Sequence, residues 1–244
     1  MRTTLTHLPP YRVVALTDGA VLIDFGNAIT ETFHAAVLCC YQALLKARSP
    51  LIRDLVPAYS SLAVHYDVAA TRQAFPHQPA FTTMHQVISK VLENAVPGSF
   101  EAARTLQVPV CYAPRFAPDL ATLAQANHLT IEAVIDLHTA VTYKVYMLGF
   151  LPGFAYMAEV DERIATPRKQ QPRTSVPEGS VGIAGRQTGI YPFNSPGGWN
   201  IIGRTPIKLF DAAKEAPVFF RPGDAVRFYS ITEDEFEDHQ SRIA

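Results

Sequence analysis

Ten of the 13 glycines and twelve of the 19 prolines fall within residues 101–244 of this 244-residue chain. Glycine admits backbone conformations closed to other residues, and proline removes a backbone donor. A segment punctuated this often is expected to form short strands joined by tight turns, not long helices. Residues 1–100 hold three glycines and read as ordinary α/β chain. The shift predicts a small α/β domain over 1–100 and a β-barrel or sandwich over 101–244.

In the first part, Tyr11–Leu16 and Val21–Phe25 are apolar runs about Asp18-Gly19, a hairpin signal. Thr30 is an expected N-cap for a helix to about Ala47, with Phe33, Ala36, Val37, Cys40 and Leu44 at helical spacing. Ile52–Val56 and Ser61–Tyr66 read as strands about Pro57-Ala58. A second helix follows Phe81, with Met84, Val87, Ile88, Val91 and Leu92 on one face, and stops before Pro97-Gly98. This order suggests an antiparallel sheet with helices on one face.

In the second part, Leu106–Tyr112 reads as a strand that Pro109 assigns to an edge. Asp119–Asn127 and Thr130–Thr139 read as helices, and Tyr143–Leu148 as a strand. Further short strands are expected at Ser180–Ile183, Ile190–Tyr191, Trp199–Arg204, Ile207–Phe210 and Ala225–Tyr229. The acidic run Glu233–Asp238 reads as a solvated surface segment.

Composition narrows the function. Hydrophobic residues at 48% and charged residues at 18% exclude a disordered chain. A formal net charge of −1 excludes a strongly basic nucleic-acid binder. No window reaches the roughly 18 apolar residues of a membrane helix, and the first ten residues lack the apolar core of a secretory signal. Three cysteines, with Cys39 and Cys40 adjacent, do not make a disulfide framework, so a reducing, cytoplasmic setting is expected.

Each motif admits two readings. Gly149–Tyr156 packs two glycines, a proline and three aromatics into eight residues, as a wall of a concave site or as a turn with core aromatics. Arg163, Arg168, Lys169, Arg173, Arg186 and Arg204 face a single acid, Glu178, within their own span. They suit a carboxylate or phosphate pocket or a solvated barrel face. Gly182–Gly189 is glycine-rich but lacks the Lys-Ser/Thr of a P-loop. Gln187 and Thr188 offer neutral hydrogen bonds at a pocket floor. Trp199 is a core residue or a ligand wall, and His138 a satisfied core histidine or a site residue. Ser195 has no triad partners nearby, and neither His-x-x-x-His nor Cys-x-x-Cys occurs, so no dedicated metal site is expected. These residues supply no nucleophile, metal cluster or phosphate loop with which the chain would run a reaction alone.

The ordered run Gly149-Phe-Leu-Pro-Gly-Phe-Ala-Tyr156, Ala165-Thr-Pro-Arg168, Gly179-Ser-Val-Gly-Ile-Ala-Gly-Arg-Gln-Thr-Gly-Ile-Tyr-Pro192, Ser195-Pro-Gly-Gly-Trp199 and Arg221-Pro-Gly-Asp224 strongly resembles the family of 5-oxoprolinase B subunits. That family is also called PxpB, KipI and allophanate hydrolase subunit 1. The resemblance implies an α+β protein: a small N-terminal α/β domain and a C-terminal cyclophilin-like β-barrel. It implies one component, inactive alone, of an ATP-dependent 5-oxoprolinase that opens 5-oxoproline to L-glutamate. The implied partners are the A subunit and a KipA-type C subunit, with ATP and Mg2+ acting at the level of the complex. Neither a nucleic acid nor a membrane is an implied partner. Two other roles follow from relatives: inhibition of a sensor histidine kinase, and partnership in urea or allophanate metabolism. The pocket residues carried over by position are His138, Tyr143, Phe150, Pro152, Phe154, Arg168, Arg173, Gln187, Thr188, Tyr191 and Trp199. Arg168 and Arg173 would hold anionic oxygens, Gln187 and Thr188 would orient the amide, and the aromatics would exclude water.

Overall fold

Asp18 and Gly19 turn the chain between two antiparallel strands, β1 (Arg12–Thr17) and β2 (Ala20–Asp24), the geometry an Asp-Gly pair between apolar runs favours. The structure is a computed structural model describing residues 7–95 and 104–243. It divides into two units, Met1–Ala102 and Ala103–Ala244.

In the first unit, α1 (Glu31–Ala47) starts where the Thr30 side chain accepts the Phe33 N–H at 3.1 Å. Strands β3 (Ile52–Pro57) and β4 (Ser61–Tyr66) complete an antiparallel sheet in the order β1-β2-β4-β3. Helices α2 (Val68–Ala74) and α3 (Ala80–Glu93) follow. One sheet face carries Val21, Ile23, Leu55, Leu62 and Val64. It buries them against Ala36, Val37, Cys40 and Leu44 of α1 and Met84, Ile88 and Leu92 of α3. The apolar stripes legible in the sequence are these buried faces. Burial pushes the Cys40 thiol up to about 12, so it stays protonated and inert.

The second unit contains β5 (Thr105–Cys111), α4 (Leu120–Ala126), α5 (Ile131–Ala140), β6 (Thr142–Leu148) and β7 (Ala155–Ala158). Then come β8 (Arg173–Val176), β9 (Ser180–Ala184), β10 (Gln187–Ile190), β11 (Ser195–Gly197), β12 (Asn200–Arg204), β13 (Ala225–Ile231) and α6 (Glu233–Ile243). Seven strands close into a barrel in the order β10-β7-β6-β13-β5-β12-β9, and β8 and β11 form a separate ribbon. β5 and β13 run parallel, and the other barrel pairs are antiparallel. The interior is filled by Val108, Val110, Val145, Met157, Val181, Ile183, Ile190, Ile202 and Phe228.

The expected α/β unit and β-barrel unit are both present, and several local expectations are corrected. β5 is not an edge strand, because β13 and β12 flank it. Pro109 is tolerated there because the pairing with β12 is limited to Arg204 opposite Cys111. The expected Ile207–Phe210 strand is irregular chain with one isolated bridge, Phe210 to Val218. The strand expected at Ile190–Tyr191 instead spans Gln187–Ile190. The acidic tail is a helix, not a bare solvated segment. Thr232 and Glu235 make reciprocal capping bonds, and Phe236 is buried against Phe116 with ring centroids 4.4 Å apart. Helix α2 escaped expectation because seven residues display little periodicity. Its Asp67 cap, accepting from the Ala70 N–H at 3.0 Å, was its one local sign. No helix among the described residues is long and apolar enough to cross a membrane.

Candidate functional site

Strand alternation sorts the glycine-rich segment onto two sides of the barrel wall. In β10, Thr188 and Ile190 face the interior, while Gln187 and Gly189 face outward. A Cβ at Gly189 would lie 3.1 Å from both Phe154 and Trp199, and one at Gly182 would lie 3.0 Å from Trp199. The glycines thus make a smooth floor on which aromatic rings lie close to backbone, and no phosphate-cradling loop. On this outer face, Phe154 meets Trp199 at 5.4 Å, Tyr191 at 5.3 Å and Tyr156 at 4.8 Å between ring centroids. Val176 of the β8–β11 ribbon packs with Phe154, Tyr191 and Ile201. At Gly197 in the ribbon, a Cβ would collide with the Tyr191 ring and hydroxyl, so only glycine lets the two meet.

Cations border this face, and one carboxylate organises them. Asp119 stands at the start of α4, but its side chain does not cap that helix. One oxygen accepts from Lys169 Nζ at 2.8 Å and Arg173 Nη2 at 2.6 Å; the other accepts from the Ile201 backbone N–H at 2.7 Å. Burial alone would raise the Asp119 pKa, but these three donors outweigh it and hold the carboxyl below its usual range. The Tyr191 phenol is pushed up by burial, while the Trp199 backbone N–H and the charges of Arg168 and Arg173 oppose that rise.

The eleven residues expected to line one pocket fall into separate places. His138, Tyr143 and Thr188 lie inside the barrel, fully buried. The Thr188 hydroxyl donates to the Gly182 carbonyl at 3.1 Å, so it accepts from His138 Nε2–H, also at 3.1 Å. His138 Nδ1 is left to accept from the Tyr112 hydroxyl at 2.8 Å. Burial pushes the imidazole down to about 3, so it is neutral and satisfied. Tyr143 donates to the His138 carbonyl at 2.9 Å. Phe154, Tyr191 and Trp199 share the aromatic cluster outside the barrel wall, Gln187 is half-buried on the same side of β10, Arg173 opens β8 of the ribbon, and Arg168 is exposed in the chain before it. Phe150 and Pro152 lie in the preceding loop, both exposed. Phe150 holds a φ of 69°, rare for a bulky residue, and sets its ring edge-on to Phe154 and Tyr191. Sequence reasoning missed Asp119 and Tyr156. Asp119 read only as a helix start, because its partners lie 50 to 82 residues away.

Residues 11–220 match the family described as carboxyltransferase domain, subdomain C and D. The chain is 38% identical over 232 residues to the B subunit of 5-oxoprolinase from Bacillus subtilis (strain 168), covering 94% of this chain and 97% of that one. A crystal structure of a conserved uncharacterized protein from Pyrococcus horikoshii is 41% identical, covering 92% of this chain and 100% of that one at a TM-score of 0.53. The crystal structure of K. lactis urea amidolyase covers 95% of this chain at a TM-score of 0.72. Its 17% identity makes that a likeness of fold alone, and this chain spans 15% of that longer one.

Proposed function

The chain belongs to the family of 5-oxoprolinase B subunits, within the carboxyltransferase subdomain C and D fold, and on that premise we propose that it is one component of an ATP-dependent 5-oxoprolinase converting 5-oxoproline to L-glutamate. The observation that carries the reading is the 38% identity to the B. subtilis protein along nearly the full length of both chains. Its partners are the A subunit and the KipA-type C subunit, and the complex works in the cytoplasm.

The site geometry supports a subunit that binds and orients instead of attacking. Outside the barrel wall it offers a buried, edge-packed aromatic cluster that holds the β8–β11 ribbon, with the Lys169 and Arg173 cations fixed on Asp119, a scaffold suited to positioning a partner or ligand. The Ser195 hydroxyl in the ribbon has no hydrogen-bond partner, and so no general base bonded to it, among the described residues. ATP and Mg2+ belong to the complex. The residues here do not fit them: aromatic rings lie against Gly182 and Gly189, the Gly182–Gly189 segment lacks the Lys-Ser/Thr of a phosphate loop, and no group of three or more His, Cys, Asp or Glu is gathered among the described residues.

The test is 5-oxoproline-dependent ADP release by this chain mixed with the A and C subunits, against the same mixture without it. The expected result is loss of activity on omission. An unchanged rate without this chain would defeat the assignment.

A further inference from the structure

The sheet of the first unit has two edges, β1 and β3, and they differ in chemistry. An edge strand offers a row of unpaired backbone N–H and C=O groups, which proteins commonly blunt with charged side chains or proline. β3 carries Arg53, Asp54 and Pro57 among its six residues. β1 runs Arg12-Val-Val-Ala-Leu-Thr17, with neither a charge nor a proline after Arg12. Each edge contains one register irregularity, so that feature does not separate them. Among the described residues, β2 is the one strand paired with β1, and five of the six β1 residues are exposed.

The side chains differ as well. Val14, Leu22, Ala63 and Val56 are cross-strand neighbours and alternate with the buried residues, so they form one apolar row on the sheet face away from α1 and α3. A sheet face open to water ordinarily carries polar residues there. Val14 is 38% exposed, and Leu16, which the irregularity leaves outside the β1–β2 register, is 50% exposed. Arg12 and Asp18 stand at the two ends of the strand. Arg12 gives one guanidinium nitrogen to Asp24 at 2.6 Å and keeps its side chain 76% exposed, with further donors to offer. Asp18 is exposed and makes no ion pair among the described residues.

We infer that β1 is the docking edge for a second copy of this chain: two β1 strands pair antiparallel about a twofold axis and join two four-stranded sheets into one. The strand's own sequence selects the register. With the axis at Ala15, Val14 lies opposite the partner's Leu16, Val13 opposite the partner's Thr17, and Arg12 opposite the partner's Asp18. The axis repeats each pair, so the seam has opposite charges at both ends, apolar pairs on the open face and two alanines at its centre. An axis at Val14 would set Arg12 against Leu16 and Asp18 against Pro10, which removes both charge pairs. At about 3.4 Å per residue the seam is roughly 20 Å long. Strand pairing that short buries less than the roughly 1,200 Å² of a stable interface, so the dimer forms and dissociates with concentration.

Sedimentation equilibrium of the full chain, from about 1 to about 300 µM, measures the association. The expected result is a monomer–dimer equilibrium without larger species, because a twofold seam closes on itself. Leu16→Lys should weaken the dimer by roughly tenfold. Arg12→Glu and Asp18→Lys, each alone, put like charges at both ends of the seam and should weaken it by a similar factor. Mixing those two variants should restore association, because every charge then faces its opposite. Val56→Lys, at the far edge of the same apolar row, should leave association unchanged. Far-ultraviolet circular dichroism confirms that each variant is folded. A chain that stays monomeric over the whole range overturns the proposal, and so does growth beyond a dimer. A dimer indifferent to Leu16→Lys overturns it, as does one weakened equally by Val56→Lys, which would mean that sheets stack face to face. Charge variants that fail to reassociate on mixing overturn it too.

Discussion

The four-stranded sheet of the first unit and the seven-stranded barrel of the second bury similar aliphatic side chains, yet they satisfy buried polar groups over different distances along the chain. In the first unit, the buried Thr71 and Thr83 hydroxyls bond back to Asp67 and Pro79, four residues earlier, and Tyr66, whose hydroxyl reaches the Asp18 carbonyl 48 residues away, is an exception. In the barrel unit, His138 reaches Tyr112 and Thr188, 26 and 50 residues away, and Asp119 reaches Ile201 across 82. The Arg104–Asp224 ion pair spans 120 residues. A polar group satisfied within one helical turn stays satisfied if its neighbours loosen. One satisfied across the barrel depends on the whole closure.

The largest expected effect tests that dependence. Asp119→Ala leaves two cations without their counterion and one buried N–H without its acceptor. It should destabilise the barrel unit by roughly 3 kcal/mol, the lower end for a broken buried pair because both cations are partly exposed. Chemical denaturation, with hydrogen exchange to assign the loss to residues 104–231, measures it; a change under about 1 kcal/mol would break the contrast.

A pH effect comes next. His138 has a folded-state pKa of about 3 against an ordinary 6.5, so between those values the unfolded chain binds a proton that the folded chain refuses. Stability from this group is complete above about pH 6.5 and falls as the pH drops toward 3, by up to about 1.4 kcal/mol per unit. His138→Gln removes the titration, so its stability should vary less than the parent's between pH 6.5 and 4.5. Parallel pH profiles for the two chains would argue against the buried neutral imidazole.

The smallest effect belongs to the locally satisfied unit. Thr30→Ala deletes the α1 cap and should destabilise by about 1 kcal/mol, with faster exchange confined to the first turn after Glu31. Loss of protection spreading through the sheet would blur the distinction between the units.

Much of the first unit was legible because its signals are local. The Asp18-Gly19 turn, the Thr30 cap and the stripe Ala36, Val37, Cys40 and Leu44 act within a turn or two of chain, and each stands where it was expected. The Thr232–Glu235 capping box was equally local but lay inside an acidic run that read as solvated surface. Of the candidate site, the aromatic and glycine motif was visible as composition, and its shared face with Tyr191 and Trp199 is observed. Asp119 had no visible signal, since nothing near it in sequence names Lys169, Arg173 or Ile201 as partners.

Local signals alone identified the four strands and two longer helices of the first unit, several strands and two helices of the second, and the family motif, because periodicity, caps and turn chemistry operate between near neighbours; α2, α6 and the short strands β7, β8 and β11 were not among them. Only the tertiary structure decided which side of the barrel wall each motif residue faces. Adjacent strand residues point to opposite sides, and barrel closure sets which side is core. Thr188 therefore joins His138 inside, while Gly189 supports Phe154 and Trp199 on the outer face.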